Sequence, residues 1–283
     1  MKPRVMSLVL FTCMVGLVVA PNKVSYLNSI LSLIAVALGA GAAGTLNMWY
    51  ESDLDALMTR TCLRPIPTGQ VTKNQALFFG ILLSIGSISL LYYSSNLMSA
   101  SLLLSTICFY FFIYTVWLKR RTPQNIVIGG AAGALPPVIG WTIATGSLTI
   151  EPLILFLIIF LWTPSHFWAL SIYKSNDYKK AKIPMLPIIY GIDKTKKNIF
   201  VYSLLMLPTI SVPYVINFLS GFYFYPTLVL TIYYIYLCGT LLKLKKNKEI
   251  NTLARKIFLY SIFYLFAIFL LILLDHFFMR FYG

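Results

Sequence analysis

Along the chain, long unbroken runs of apolar residues alternate with short segments that carry nearly all of its charge. The runs fall at approximately Val5–Ala20, Leu27–Tyr50, Gln75–Ser94, Met98–Leu118, Ile126–Ala144, Ile150–Ile172, Ile199–Leu219, Tyr225–Leu242 and Ile257–Phe278. A helix of about 20 residues spans the hydrocarbon core of a bilayer, so each run predicts one membrane crossing. The pattern predicts an all-α polytopic membrane protein, residues 1–283 forming a single transmembrane domain of nine helices. A soluble helical protein does not accommodate so many unbroken apolar stretches, because its helices keep a polar face for water.

Hydrophobic residues make up 59% of the chain and charged residues 11%, far from the balance of a soluble domain. A net charge of +15 would suit nucleic acid, but lysines and arginines gather at the ends of the apolar runs rather than on one exposed face, which excludes that partner. The segments after spans two, four, six and eight hold Arg60, Arg64 and Lys73; Lys119, Arg120 and Arg121; Lys174 through Lys197; and Lys243 through Lys256. With Lys2 and Arg4, they account for every basic residue except Lys23 and Arg280. The positive-inside rule then puts the N-terminus and these segments in the cytoplasm, and the C-terminus outside the cell membrane. MKPRV leads into the first apolar run with no small-residue cleavage pattern after it, which predicts a retained first helix rather than a signal peptide. Cys13, Cys62, Cys108 and Cys238 form no Cys-x-x-Cys pair and predict neither a disulfide framework nor a thiolate metal centre. The fifth run carries GGAAGALPPVIGW, including Pro136 and Pro137. Small residues there serve close helix packing or, alternatively, make room for a bulky flat substrate.

Chemistry concentrates between Asn47 and Gly69, NMWYESDLDALMTRTCLRPIPTG. Three of the eight carboxylates in the chain, Glu51, Asp53 and Asp55, lie here beside Arg60 and Arg64. Asn47, Glu51 and Asp55 are spaced i, i+4, i+8, so on a helix they fall within about 80° of one another while Asp53 points away. Clustered hard oxygens suit Mg²⁺, which takes carboxylates, water and phosphate oxygens. Arginines supply fixed positive charge for phosphate. A cation bridging carboxylates to a diphosphate uses the whole set, with Asp53 joining only if the helix unwinds. The plain alternative is a solvated helix end whose acids pair with the arginines, although acids beside an intramembrane run are costly and tend to be functional.

Two further segments gather polar groups. In YTVWLKRRTPQN, Tyr114 to Asn125, the basic run Lys119, Arg120 and Arg121 either anchors a helix end or closes over an anionic group. Between Phe160 and Gly191, His166 follows Pro164 by two residues among Trp162, Phe167 and Trp168. It is a hydrogen-bonded packing residue, a proton-handling group or an axial contact to a haem iron. Asp177, with Lys179, Lys180 and Lys182, makes either a charged loop or a second metal and diphosphate contact.

Asn-x-x-x-acid-x-x-x-Asp followed by Arg-Thr-x-x-Arg-Pro resembles the first signature of the membrane-embedded UbiA-type prenyltransferases. Within that superfamily, three segments in order resemble the protohaem IX farnesyltransferases (haem O synthases). The first is Asp53-Leu54-Asp55 with Met58, Arg60, Thr61, Arg64 and Pro65. The second is Tyr114-Thr115-x-Trp117-Leu118-Lys119-Arg120-Arg121-Thr122-Pro123, leading into Gly129-Gly130-Ala131-Ala132-Gly133-Ala134. The third is Trp162-Thr163-Pro164-x-His166-Phe167-Trp168-Ala169-Leu170 with Asp177-Tyr178. The motifs cover about the first two hundred of the 283 residues, and the remainder matches only in having helices of the right size.

The resemblance implies a UbiA-like bundle around a central intramembrane cavity. It implies Mg²⁺-dependent transfer of a farnesyl or longer prenyl group from its diphosphate to the vinyl group of haem b, giving haem O for haem-copper oxidases. Its site would use Glu51, Asp53 and Asp55 toward the metal, and Asn47, Asp55, Arg60, Arg64 and His166 in catalysis. Lys119, Arg120, Arg121, Asp177 and Lys180 would hold the substrate. The partners it implies are a prenyl diphosphate, haem b, the lipid bilayer and a downstream haem A synthase or oxidase. Glu51 stands where the family pattern usually has aspartate. The second acid-rich motif of aromatic-acceptor relatives is absent, since Trp168-Ala169 is followed only by Asp177; this favours haem over 4-hydroxybenzoate or a quinone precursor. Prenyl transfer to another lipid-soluble acceptor is the second reading. A secondary transporter is the third, against which the acids cluster at one face rather than at the bilayer midplane.

Overall fold

In hydrocarbon every backbone N–H and C=O must find its partner within the segment, so each apolar run becomes a helix. The computed structural model describes residues 3–59 and 61–282. In chain order the helices are α1 (Pro3–Val19), α2 (Tyr26–Tyr50), α3 (Ser52–Leu57), α4 (Lys73–Ser94), α5 (Leu97–Cys108), α6 (Asn125–Ala134), α7 (Pro136–Thr145), α8 (Ile150–Tyr173), α9 (Ser175–Lys180), α10 (Leu186–Ile189), α11 (Gly191–Val215), α12 (Gly221–Lys243) and α13 (Asn247–Tyr282). Helix α5 continues into a wider-turned π-helical segment, Phe109–Leu118. Among the described residues, eight crossings are long and apolar enough to span a bilayer, with α5 plus its π segment, and α6 plus α7, each counting as one. Helix α1, apolar from Met6 to Val19, is shorter.

Three differences from the hydropathy pattern have physical causes. Helices α11 and α13 begin at Gly191 and Asn247 rather than at Ile199 and Ile257, because a charged helix end continues beyond the hydrocarbon that hydropathy detects. The fifth run is broken at Leu135, where Pro136 brings no N–H and cannot continue the preceding turn. The short helices α3, α9 and α10 lie in polar segments with no apolar run to announce them.

Two rings of polar contacts hold the opposite ends of the bundle. At one end, Lys119 pairs with Glu51, Thr59 with Asp177, and Lys196 Nζ donates to the Leu244 carbonyl at 2.9 Å. At the other, Asn96 caps α5 through Ser99 N and also donates from Nδ2 to the Thr142 carbonyl at 2.8 Å. There too, buried Asp275 near the end of α13 accepts from Ser220 N (3.0 Å), Tyr223 N (3.1 Å) and the Ser220 hydroxyl, satisfying the first turn of α12 from a neighbouring helix. The segments after spans two, four, six and eight thus share one end.

Between the ends lie two apolar cores. One is built from α2, α4, α5 and parts of α1 and α7, the other from α8, α11, α12 and α13 with different residues of α1 and α7. Helices α1 and α7 form the seam. A Cβ added at Gly140 would lie 1.9 Å from the Cys13 carbonyl oxygen, and one at Gly16 would lie 2.1 Å from that of Pro137. Backbone meets backbone there, as small residues permit, so in α7 the small-residue stretch serves close packing. On α4, the buried face is Ala76, Gly80, Ser87, Leu91 and Ser94, whereas Phe78, Phe79, Leu82 and Ile85 point outward. Outward apolar side chains over small inward ones suit a helix bathed in lipid.

Candidate active site

The site begins where α2 runs out. Glu51 N donates to Asn47 O at 3.0 Å and Asp55 N to Glu51 O at 2.8 Å, so helical spacing carries through the junction into α3. Asn47, Glu51 and Asp55 therefore share one face, and each is only 1% exposed. Asp53 is turned the other way with its side chain 55% exposed, and Arg120 grips its two oxygens at 2.9 and 3.1 Å. Partial burial raises the Asp53 carboxyl, but the hydrogen bond and charge of Arg120 outweigh it and leave the group below the usual carboxylate range. The pair is present at neutral pH and opens only as pH falls through that lowered range. At such exposure it contributes at most about 1 kcal/mol.

The two buried acids have separate cations. Arg64 Nη1 donates to Asp55 Oδ1 at 2.8 Å and Oδ2 at 2.7 Å. Lys119 reaches Glu51 Oε2, which also accepts from Asn47 Nδ2 at 2.7 Å. Glu51 Oε1 is buried with no hydrogen-bond partner among the described residues. An orphaned buried carboxylate oxygen needs an explanation such as an ion or water. Lys119 and Arg120 are adjacent in sequence yet serve Glu51 and Asp53 respectively.

Hydroxyls tie the arrangement together. Thr61, 2% exposed, donates to the Asp55 carbonyl at 2.9 Å. Thr59 donates to the Asp177 carboxylate at 2.9 and 3.0 Å, bringing the third polar segment onto the first. Beneath them a small apolar cluster of Leu54, Met58, Ile126, Tyr178, Ala181, Ile183 and Met185 packs the three segments against one another. Thr115, fully buried on the π segment, accepts from Asn47 Nδ2 at 3.1 Å.

The structure thus brings together Asn47, Glu51, Asp55, Arg64, Lys119 and, through Thr59, Asp177. It separates Asp53 and Arg120, which form their own pair, and leaves Arg121 and Lys180 exposed. Among the described residues, no three His, Cys, Asp or Glu side chains form a metal-holding group, so Asp53 does not complete one with Glu51 and Asp55. Arg60 lies outside the described residues. His166 sits in the interface of α8 with α13, where Nδ1 is 2.6 Å from the Ser261 hydroxyl and the ring stacks on Trp162 and Phe258. Thr59, Thr61 and Thr115 carry no signal in the sequence, and only the hydrogen bonds of their hydroxyls reveal a part for them.

The fold and this site define a membrane-embedded helical protein with a buried acid–base cluster at one end of its bundle. The chain belongs to the UbiA prenyltransferase family, whose profile matches residues 9–274, well past the last sequence motif. It is 66% identical to the protoheme IX farnesyltransferase of Pelagibacter ubique over 97% of this chain and 91% of that one. It is 48% identical to protoheme IX farnesyltransferase 2 of Mesorhizobium japonicum, over 97% and 88% respectively. Among solved structures, a digeranylgeranylglyceryl phosphate synthase superposes with a TM-score of 0.79 at 18% identity, covering 97% of this chain and 94% of that one. A UbiA homologue from Archaeoglobus fulgidus bound to GPP and Mg²⁺ superposes with a TM-score of 0.66 at 18% identity, covering 94% and 97%.

Proposed function

We propose that the protein is a protohaem IX farnesyltransferase that transfers a farnesyl group from its diphosphate to the vinyl group of haem b, giving haem O. The observation that carries the site assignment is the buried Asn47–Glu51–Asp55 face with its paired cations Lys119 and Arg64. The donors fit Mg²⁺: two carboxylates, one with an orphaned oxygen, are what this ion takes when substrate phosphates complete its shell. Bound there, Mg²⁺ would supply positive charge to the diphosphate oxygens.

The chain's own residues do the rest. Arg64 and Lys119, held beside carboxylates, can turn their N–H groups to phosphate oxygens, and Arg60 adds charge from the same segment. They neutralise the diphosphate as the carbon–oxygen bond breaks and it leaves with the electron pair. The vinyl carbon of haem b attacks the allylic cation, a carbon–carbon bond forms, and water takes up the remaining positive charge as a hydroxyl with loss of a proton. Asp177, latched to Thr59, ties the third polar segment to the first. His166 is best read as a packing residue of the α8–α13 interface.

Room for the prenyl tail is proposed along α2. Gly44 precedes Glu51 by seven residues, which puts it on the same face about two turns, or ~10 Å, deeper. It is buried, yet a Cβ there would meet nothing within 4 Å. Gly44→Phe is expected to lower turnover with farnesyl diphosphate by at least about tenfold and with geranyl diphosphate far less; equal losses would place the tail elsewhere. Asp53→Asn is expected to leave turnover and its Mg²⁺ dependence within about threefold of the unsubstituted protein, because it removes only an exposed pair. A loss comparable to Glu51→Gln would return Asp53 to the metal site.

The orientation proposed puts this end of the bundle in the cytoplasm. In a background retaining only Cys62, a membrane-impermeant thiol reagent is expected to react from the cytoplasmic face, and labelling from outside would reverse the orientation. Partnership with a haem A synthase or an oxidase follows from the product. The acceptor is tested by diphosphate release: with Mg²⁺ and farnesyl diphosphate, haem b is expected to trigger it and 4-hydroxybenzoate is not. Release with the phenol alone would favour the other lipid-soluble acceptors.

A further inference from the structure

Thr115 is an uncharged side chain on the π segment that reaches the acid cluster, through Asn47. Several buried threonines bond the carbonyl four residues back, among them Thr45 to Gly41, Thr163 to Ile159 and Thr209 to Leu205. Thr115 instead donates to the Tyr110 carbonyl, five residues back, at 2.9 Å. The wider turn of Phe109–Leu118 makes that reach possible; π turns are rare in helices and concentrate at functional sites.

With its only proton committed to Tyr110, the Thr115 oxygen can only accept. The partner that donates to it is Asn47 Nδ2, at 3.1 Å. The same nitrogen gives its other hydrogen to Glu51 Oε2 at 2.7 Å. Both N–H bonds of the carboxamide are thereby directed, and a flipped amide would set an oxygen against the carboxylate. Glu51 Oε2 is held between Asn47 and Lys119, which leaves Oε1 as the oxygen without a partner among the described residues.

We propose that Thr115 is a positioning residue for the diphosphate site: its hydroxyl, oriented by the Tyr110 carbonyl, locks the Asn47 carboxamide so that Glu51 and Lys119 are set for metal and phosphate. The proposal rests on the reading of the Asn47–Glu51–Asp55 face as that site. Loss of the hydroxyl takes the acceptor from one N–H of Asn47 and loosens the hold on the amide that steers Glu51 Oε2.

The test is binding of farnesyl diphosphate to the purified protein by titration calorimetry at several Mg²⁺ concentrations, with no acceptor present. Thr115→Val is expected to weaken binding about tenfold and to raise the Mg²⁺ concentration needed for half-maximal binding. Thr115→Ser is expected to stay within about threefold of the unsubstituted protein, since it keeps the hydroxyl. The thermal midpoint in detergent should be kept by Thr115→Ser and fall for Thr115→Val, which leaves a buried N–H of Asn47 without its acceptor. In an Asn47→Ala background, Thr115→Val should add nothing, because the two act through one contact. Should the valine variant not be recovered, Thr115→Ala reads the same quantities. Unchanged binding in the valine or alanine variant, no rescue by serine, or additive losses with Asn47→Ala would each overturn the proposal. Failure of the unsubstituted protein to bind farnesyl diphosphate would overturn the site reading as well. Thr115-dependent binding without any haem product would support the proposal and overturn only the acceptor.

Discussion

Asp55→Ala is expected to remove haem O formation, by at least about a thousandfold, while the protein still inserts and folds. Asp55 is 1% exposed, holds Arg64 through both oxygens, and shares the helix face that carries Glu51 and Asn47. Removing it takes away a proposed metal donor and leaves the Arg64 guanidinium without the carboxylate that aims it. Arg64 keeps 23% of its side chain exposed, so its released charge can turn to water and the fold is spared the cost of a buried unpaired cation. Asp55→Asn separates the two effects, because it keeps the shape and the hydrogen-bond acceptor but not the charge. Single-turnover formation of haem O, beside a thermal unfolding trace in detergent, checks both variants. Turnover of Asp55→Ala within tenfold of the unsubstituted protein would remove the metal and diphosphate assignment.

Gly140→Ala is expected to have the largest effect on stability, a loss of at least about 3 kcal/mol. The added carbon would sit 1.9 Å from a backbone carbonyl of α1, and no side chain can rotate to make room. Helix α1 would have to leave the seam, and both apolar cores contain its residues: Val15 and Val19 in one, Cys13 and Leu17 in the other. Gly86→Ala is the matched control. Gly86 is exposed on α4 with nothing within 4 Å of an added carbon, so helix propensity makes that change neutral or stabilising by up to about 1 kcal/mol. Reversible unfolding in mixed detergent micelles measures the pair, and similar stabilities for the two variants would contradict the backbone contact at the seam.

Much of this architecture can be read in the chain because the bilayer imposes its own thickness. Apolar runs locate the crossings, and the basic residues tell which ends of the helices lie together. The i, i+4, i+8 spacing likewise places Asn47, Glu51 and Asp55 on one face and turns Asp53 away, and the burial of the first three agrees with it. What the sequence does not reveal is who answers whom across the fold. Lys119 and Arg120 are neighbours, yet one goes to buried Glu51 and the other to exposed Asp53. Nothing in their order predicts the division; it depends on the π turns that end at Leu118. Threonine hydroxyls have no periodic signature, so the Thr59–Asp177 latch and the Thr115–Asn47 contact appear only when the three segments are folded together. The glycines of the fifth run announce a close approach but do not name α1 as the partner. His166 looks like chemistry in the sequence because a histidine in an apolar helix is unusual; its contacts with Ser261, Trp162 and Phe258 appear only in the fold.

The central claim is that the buried face at the end of α2 activates a prenyl diphosphate for transfer to haem b. Mass spectrometry of the haems recovered after incubating purified protein with haem b, farnesyl diphosphate and Mg²⁺ tests it most directly. The expected result is a haem carrying one farnesyl group and one added hydroxyl from the unsubstituted protein, and only haem b from Asp55→Ala. Unmodified haem b from both, with haem still bound by the unsubstituted protein, would contradict it.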